Sequence, residues 1–308
     1  MAGAMVAAPW AVRAAAGTAV IFFDPALPSR AAYERAIGDG ADFLVAPVVM
    51  SQDGGLIVAP DVELSAFTDI AQRPEFAARR AEKALDGSPA GGWFSEDFTL
   101  AEMKSLATGR PDKRGEPAPT LLALQEVIDI ARAGSVRTAR VVGVSPRMIR
   151  PRHFSGGDLT MEPALAQLIA LAGYDSPAAA MIVQAADPTA LKAFGALCRA
   201  RRIDLEPAQD PAAARGMAEA LGPIEDLVVK DAAKGAMFAT GLVAAAHAAG
   251  LAVYARFRAP APHEPHGPHE RLTALFLAGV DGVMGPDAAL AARARRDAMD
   301  KTLPEGQS

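Results

Sequence analysis

The chain has one cysteine in 308 residues, with three tyrosines and two tryptophans. A single thiol excludes an intramolecular disulfide. Cys198 lies in the helical stretch from Leu191 to Ala200, so a buried, inert side chain is expected. No apolar run reaches the roughly 18 residues of a membrane span. The Ala-rich stretch from Met5 to Ala16 lacks a basic segment before it and is broken by Arg13, which makes it a poor secretory signal. The sequence therefore reads as cytoplasmic as it stands, and as periplasmic if a signal segment was removed. Basic charge is scarce too. The 31 Lys and Arg are outnumbered by 36 Asp and Glu, and a net charge of -5 argues against a nucleic-acid partner. No glycine-rich dinucleotide or P-loop fingerprint follows the first apolar strand.

What is present is a regular alternation. Short β-branched runs at 19–23, 43–50, 140–145, 180–185, 203–206, 226–229, 251–257 and 282–284 are separated by Ala/Leu-rich helical stretches. That is the pattern of a parallel sheet with crossover helices, and eight of each favour a closed (β/α)8 TIM barrel. Asp187-Pro188 and Asp210-Pro211 each put a capping carboxylate before a proline, the signal of a helix start. Gly134, Gly173 and Gly250 follow helical runs, where a left-handed stop is wanted.

One segment breaks the rhythm. Ser51-Gln52-Asp53-Gly54-Gly55 reads as a turn, with 56–59 as its hairpin partner. An excursion from about 61 to 117 follows, with a charged helix expected near 77–85. This small insertion after the second strand would shape the barrel's C-terminal mouth. The expected division is an N-terminal segment 1–17, a barrel 18–300 and a frayed tail 301–308.

The run Gly40-Ala41-Asp42-Phe43-Leu44-Val45-Ala46-Pro47-Val48-Val49-Met50-Ser51-Gln52-Asp53-Gly54 resembles the signature of the glycerophosphodiester phosphodiesterases, periplasmic-type branch. So do Thr68-Asp69-Ile70-Ala71, the stretch from Trp93 to Leu100, Pro119-Thr120-Leu121, Val142 to Pro146, and Gly279 to Val283. The resemblance implies hydrolysis of glycerophosphodiesters to glycerol 3-phosphate and an alcohol. It also implies Ca or Mg held by carboxylates, and two histidines for acid–base work.

Position by position, that machinery is missing. Where the resemblance implies His-Arg-Gly after the first strand, this chain has Phe22-Phe23-Asp24. The implied Glu-x-Asp metal ligands are Val45 and Pro47, and the implied histidine after the hairpin is Pro60, with the acid Asp61 kept beside it. On the third strand the implied glutamate is Arg147 and the implied lysine is Ile149. Gln184 is kept on the fourth, next to Ala185 and Ala186. Reversing one charge at 4 Å changes a pair energy of roughly 4 kcal/mol from attraction to repulsion at an effective dielectric near 20. No metal and no resident cofactor is therefore expected.

The candidate binding residues are Arg147, Arg256, Asp61 and Gln184. Arg147 either faces the mouth as an anion-binding group or pairs with Asp61 or another carboxylate as plain structure. Arg256 depends on strand register for an inward direction. His263, His266 and His269 suggest metal ligation, yet their prolines and glycine favour an extended solvated loop. His153 is a lone loop histidine near the mouth, and Trp93 and Phe94 are expected to pack the insertion onto the barrel. The leading expectation is a catalytically silent relative that binds an anionic small molecule, such as a phosphate ester, or a protein partner. The alternative is an active metal-dependent phosphodiesterase with a relocated site at Asp61, His153 and the 263–269 loop.

Overall fold

In the computed structural model, which describes residues 19–109, 118–155, 159–207, 210–232, 236–258 and 265–302, eight apolar runs close into a ring. The N-terminal segment, the last six residues and His263 lie outside the described residues. Strand β1 (Val20–Phe23) leads through helix α1 (Arg30–Gly38) to β2 (Phe43–Met50), which turns back as β3 (Leu56–Val58). An excursion then carries the hairpin β4 (Ala81–Leu85) and β5 (Ser88–Gly92), a short α2 (Leu100–Lys104) and β6 (Leu122–Ala123). The alternation resumes with α3 (Leu124–Thr138), β7 (Gly143–Met148), α4 (Met161–Leu171), β8 (Ile182–Ala185) and α5 (Pro188–Gly195). Next come β9 (Arg201–Asp204), β10 (Ala220–Leu221) and a ribbon of β11 (Val229–Asp231) with β12 (Met237–Ala239). The chain finishes with α6 (Leu242–Ala248), β13 (Ala252–Arg256), α7 (Pro268–Leu277), β14 (Gly282–Gly285) and α8 (Ala288–Thr302).

Parallel pairing runs β1–β14–β13–β10–β9–β8–β7–β2, and β1 also pairs with β2, so the eight-stranded barrel is closed. The expected fold is the observed one. Asp187 caps α5 by accepting a hydrogen bond from the Thr189 amide, with Pro188 at the first helical position. Asp210 caps in the same way, but only a four-residue 3-10 turn, Pro211–Ala214, follows it, so no α-helix separates β9 from β10 among the described residues. Gly173 and Gly250 stop their helices in the left-handed region, both at φ 78. Gly134 does not: it lies inside α3, where an added Cβ would come 2.6 Å from Ile37, and the bare backbone lets α3 close on α1.

Three expectations are corrected. The sixth barrel strand is β10, not 226–229; that run forms a 3-10 turn and then enters the ribbon with β12. The third barrel strand is β7 and reaches Met148, three residues beyond the expected end. The stretch 77–85 is no helix but a 3-10 turn ending at Arg79, followed by β4. Asp86 and Gly87 sit at φ 49 and 81, the two-residue turn that matches strand twist, and this Asp-Gly pair makes the hairpin.

Inside the ring, alternate residues point to the axis. Phe22 stacks on Phe43 with centroids 4.8 Å apart, and Tyr254 meets Phe22 at the same distance. Val45, Ile203 and Met284 complete this inner core. Gly143 makes room for it, since a Cβ there would lie 2.3 Å from the Phe43 ring. The barrel is thus packed to just below its mouth.

Candidate functional site

The open end of the axis lies at the C-terminal ends of the strands. Asp24 follows β1 directly, and its amide donates to the Gly285 carbonyl, continuing the β1–β14 ladder. Arg147 is opposite Pro47 in the β2–β7 register. Its guanidinium crosses over β2 to grip Asp24 with both ends, Nη2–Oδ2 at 2.6 Å and Nη1–Oδ1 at 3.3 Å. The third donor, Nε, reaches Gln184 Oε1 at 3.0 Å. Gln184 is fully buried and donates through Nε2 to Ser145 Oγ, which donates in turn to the Ile182 carbonyl. The arginine is therefore oriented from below by a chain ending on the backbone.

Asp61 is not its partner. Asp61 accepts from Arg150 Nε at 2.8 Å, and Arg150 also grips Asp86 at the tip of the β4–β5 hairpin. Arg256 does point to the mouth: Nε donates to the Gly222 carbonyl at 2.8 Å, and Nη2 to the Leu205 carbonyl at 2.6 Å, with Glu206 at 3.2 Å. A cavity of 280 Å³ is lined by Arg147, Arg150, Arg256 and Asp61, with Ile149 and Leu205 among its apolar walls. Three of the four candidates thus share one cavity, with Gln184 buried beneath it.

The other candidates are not assembled into one site. His153 Nε2 lies 2.7 Å from Glu96 of the insertion. Burial alone would raise the Glu96 carboxyl, but hydrogen bonds from His153 and Lys83 outweigh that and hold it at about 2. His269 meets Asp297 of α8 at 2.9 Å, and His266 sits near Asp231 and Glu270, so both belong to the outer helical layer. Phe94 is fully buried, and Trp93 donates its indole N–H to the Phe76 carbonyl, as befits packing residues. Cys198 is buried, and burial raises its thiol pKa.

Among the described residues, no three His, Cys, Asp or Glu side chains come together to hold an ion. The positions where the resemblance implies metal carboxylates hold an isopropyl group, a pyrrolidine and a guanidinium, a donor set that does not fit a divalent cation. Asp24, the partner of Arg147, is not among the residues expected at the mouth. An acid one step beyond β1, in the same inward phase as Val20 and Phe22, was the available signal.

A closed ring of eight parallel strands with an insertion after the second strand and a polar cluster at its C-terminal mouth is a (β/α)8 barrel of the TIM type. Residues 28–285 match the model of the glycerophosphoryl diester phosphodiesterase family, and the chain belongs to that family. A glycerophosphodiester phosphodiesterase of Arabidopsis thaliana is 36% identical over 124 residues, 39% of this chain and 32% of that protein. The match thus spans about a third of that relative. A phosphodiesterase of Oleispira antarctica, solved with the product sn-glycerol-3-phosphate, superposes with a TM-score of 0.64 at 15% identity, covering 91% of this chain and 98% of that one. A glycerophosphodiester phosphodiesterase of Agrobacterium tumefaciens gives 0.61 at 15%, covering 90% and 99%. At such identities the likeness is one of fold. No helix among the described residues is long and apolar enough to cross a membrane.

Proposed function

We propose that this protein is a non-catalytic member of its family that binds a small anion at the barrel mouth. The carrying observation is the Arg147 guanidinium, which replaces an implied metal-binding glutamate and is clasped to Asp24 across β2. General acid–base groups contribute about 10²–10⁴-fold each, and the positions that would supply them and the metal hold other side chains. What remains suits oxyanion recognition. Arg147, Arg150 and Arg256 line the 280 Å³ cavity beside apolar walls, each already paired with an acid, so an oxyanion binds there by exchange for a carboxylate such as Asp24. Arg147 offers a planar fork already oriented by Gln184.

Two measurements test this reading. Purified protein supplied with Ca²⁺, Mg²⁺ or Mn²⁺ is expected to leave glycerophosphocholine and an aryl phosphodiester unhydrolysed. Calorimetric titration with inorganic phosphate or glycerol 3-phosphate is expected to saturate, and Arg147→Ala to weaken binding about tenfold or more. Turnover abolished by chelation would overturn the first half. Flat titrations in the wild type would overturn the second and favour a protein partner.

A further inference from the structure

We propose that the anion is the phosphate of an uncharged, hydroxyl-rich chain, a phosphorylated polyol or sugar longer than glycerol, whose tail lies in a second chamber beyond Arg150. The proposal rests on the anion-binding reading of the mouth and adds a subsite to it. This second chamber, 350 Å³, shares Met148, Arg150 and Ala186 with the arginine cavity, so the two adjoin along these residues. Its polar lining is Asp86, Arg150, Arg152, His153 and Asp187.

The pairing of these groups selects the tail. Arg152 Nη2 donates to Asp187 Oδ1 at 3.0 Å, and Arg150 grips Asp86, so each carboxylate is matched by a guanidinium. An acyl chain would strip water from four charged side chains without replacing their hydrogen bonds. A quaternary ammonium would face carboxylates already neutralised, with Arg150, Arg152 and His153 around it. A second phosphate would meet Asp86 and Asp187. A hydroxyl alone suits a matched pair, because it donates to the carboxylate while accepting from the guanidinium. Adjacent hydroxyls repeat that contact along the chain.

The chamber is also held in place. Asp187 is fixed as the cap of α5, its Oδ1 accepting from Thr189 N at 2.9 Å. Arg150 and Asp86 both have left-handed backbones, at φ 45 and 49, and they meet where the chambers join. Asp86 takes its conformation from the Asp-Gly hairpin turn, so of the two it is Arg150 whose left-handed backbone the surrounding contacts must hold.

The test compares inorganic phosphate with a hexitol 6-phosphate by calorimetry on the full chain. The wild type is expected to bind the hexitol phosphate about tenfold tighter than phosphate. In Arg152→Ala and Asp187→Asn that advantage is expected to fall to about twofold or less. Asparagine keeps the helix cap, so loss in that variant is not unfolding, and thermal melts check both. Equal affinities in the wild type, an advantage that survives both substitutions, or tighter binding of decyl phosphate than of the hexitol ester would each overturn the subsite while leaving the anion reading standing. No binding of either phosphate would overturn the anion reading itself.

Discussion

At the end of the barrel where the strands begin, Asp42 accepts from the Ile21 amide and from Arg295, both at 3.0 Å, with Arg140 at 3.5 Å. At the other end, Asp24 accepts both arms of Arg147. The chemistry is alike and the surroundings are not. Asp42 is 5% exposed, and its two arginines also donate to the carbonyls of Ala41 and Ala19. Those charges are woven into the backbone. Arg147 and Asp24 are each about one-fifth exposed, and Arg147 bonds only side chains, partners that an incoming oxyanion can replace. Identical ion pairs therefore serve cohesion at one end and exchange at the other, according to what else the guanidinium holds.

That contrast can be broken most forcefully at the closed end. Asp42→Ala leaves two guanidinium groups and a strand amide without their acceptor, and is expected to cost about 3–5 kcal/mol in chemical denaturation. A cost no larger than that of a surface substitution would dissolve the distinction. The insertion gives an intermediate case. Glu96 has a folded pKa of about 2, below its ordinary 4.5, so its contribution is full above 4.5 and is lost as pH falls toward 2. Glu96→Gln is expected to flatten that acid limb, removing about 1–3 kcal/mol of pH-dependent stability, read from melts between pH 6 and 2. The mildest change is Asp24→Asn, which uncouples the charge of Arg147 while keeping its shape. Phosphate affinity is expected to rise by roughly threefold to tenfold, with a loss of stability well below that of Asp42→Ala. A fall in affinity would mean that Asp24 helps to hold the ligand.

The barrel was legible because eight buried strands leave continuous apolar runs with helical spacers between them. Where the reading slipped, local signals competed with tertiary ones. Strand β10 is only Ala220–Leu221, followed by Gly222, where a Cβ would lie 2.7 Å from Leu205, and two residues carry no periodicity. The 226–229 run looked more like a strand and does contribute Val229, but to the ribbon. Of the site, the loss of the implied ligands could be read residue by residue, whereas the place of Gln184 beside Arg147 depends on a β7–β8 register that only the fold supplies. The acidic partner of Arg147 could not be read either. Asp24 and Arg147 are 123 residues apart, and only barrel closure brings β1 within reach of β7.

That closure is thin. Strand β1 shares four register pairs with β14 but only two with β2, Phe22 with Phe43 and Phe23 with Leu44. The Arg147–Asp24 clasp spans this short seam from the far side of β2. It thus works as a rivet as well as a recognition element. An occupant that draws Arg147 away from Asp24 loosens the rivet, so amide-hydrogen exchange along β1 would report occupancy of the mouth from a strand that the occupant need not touch.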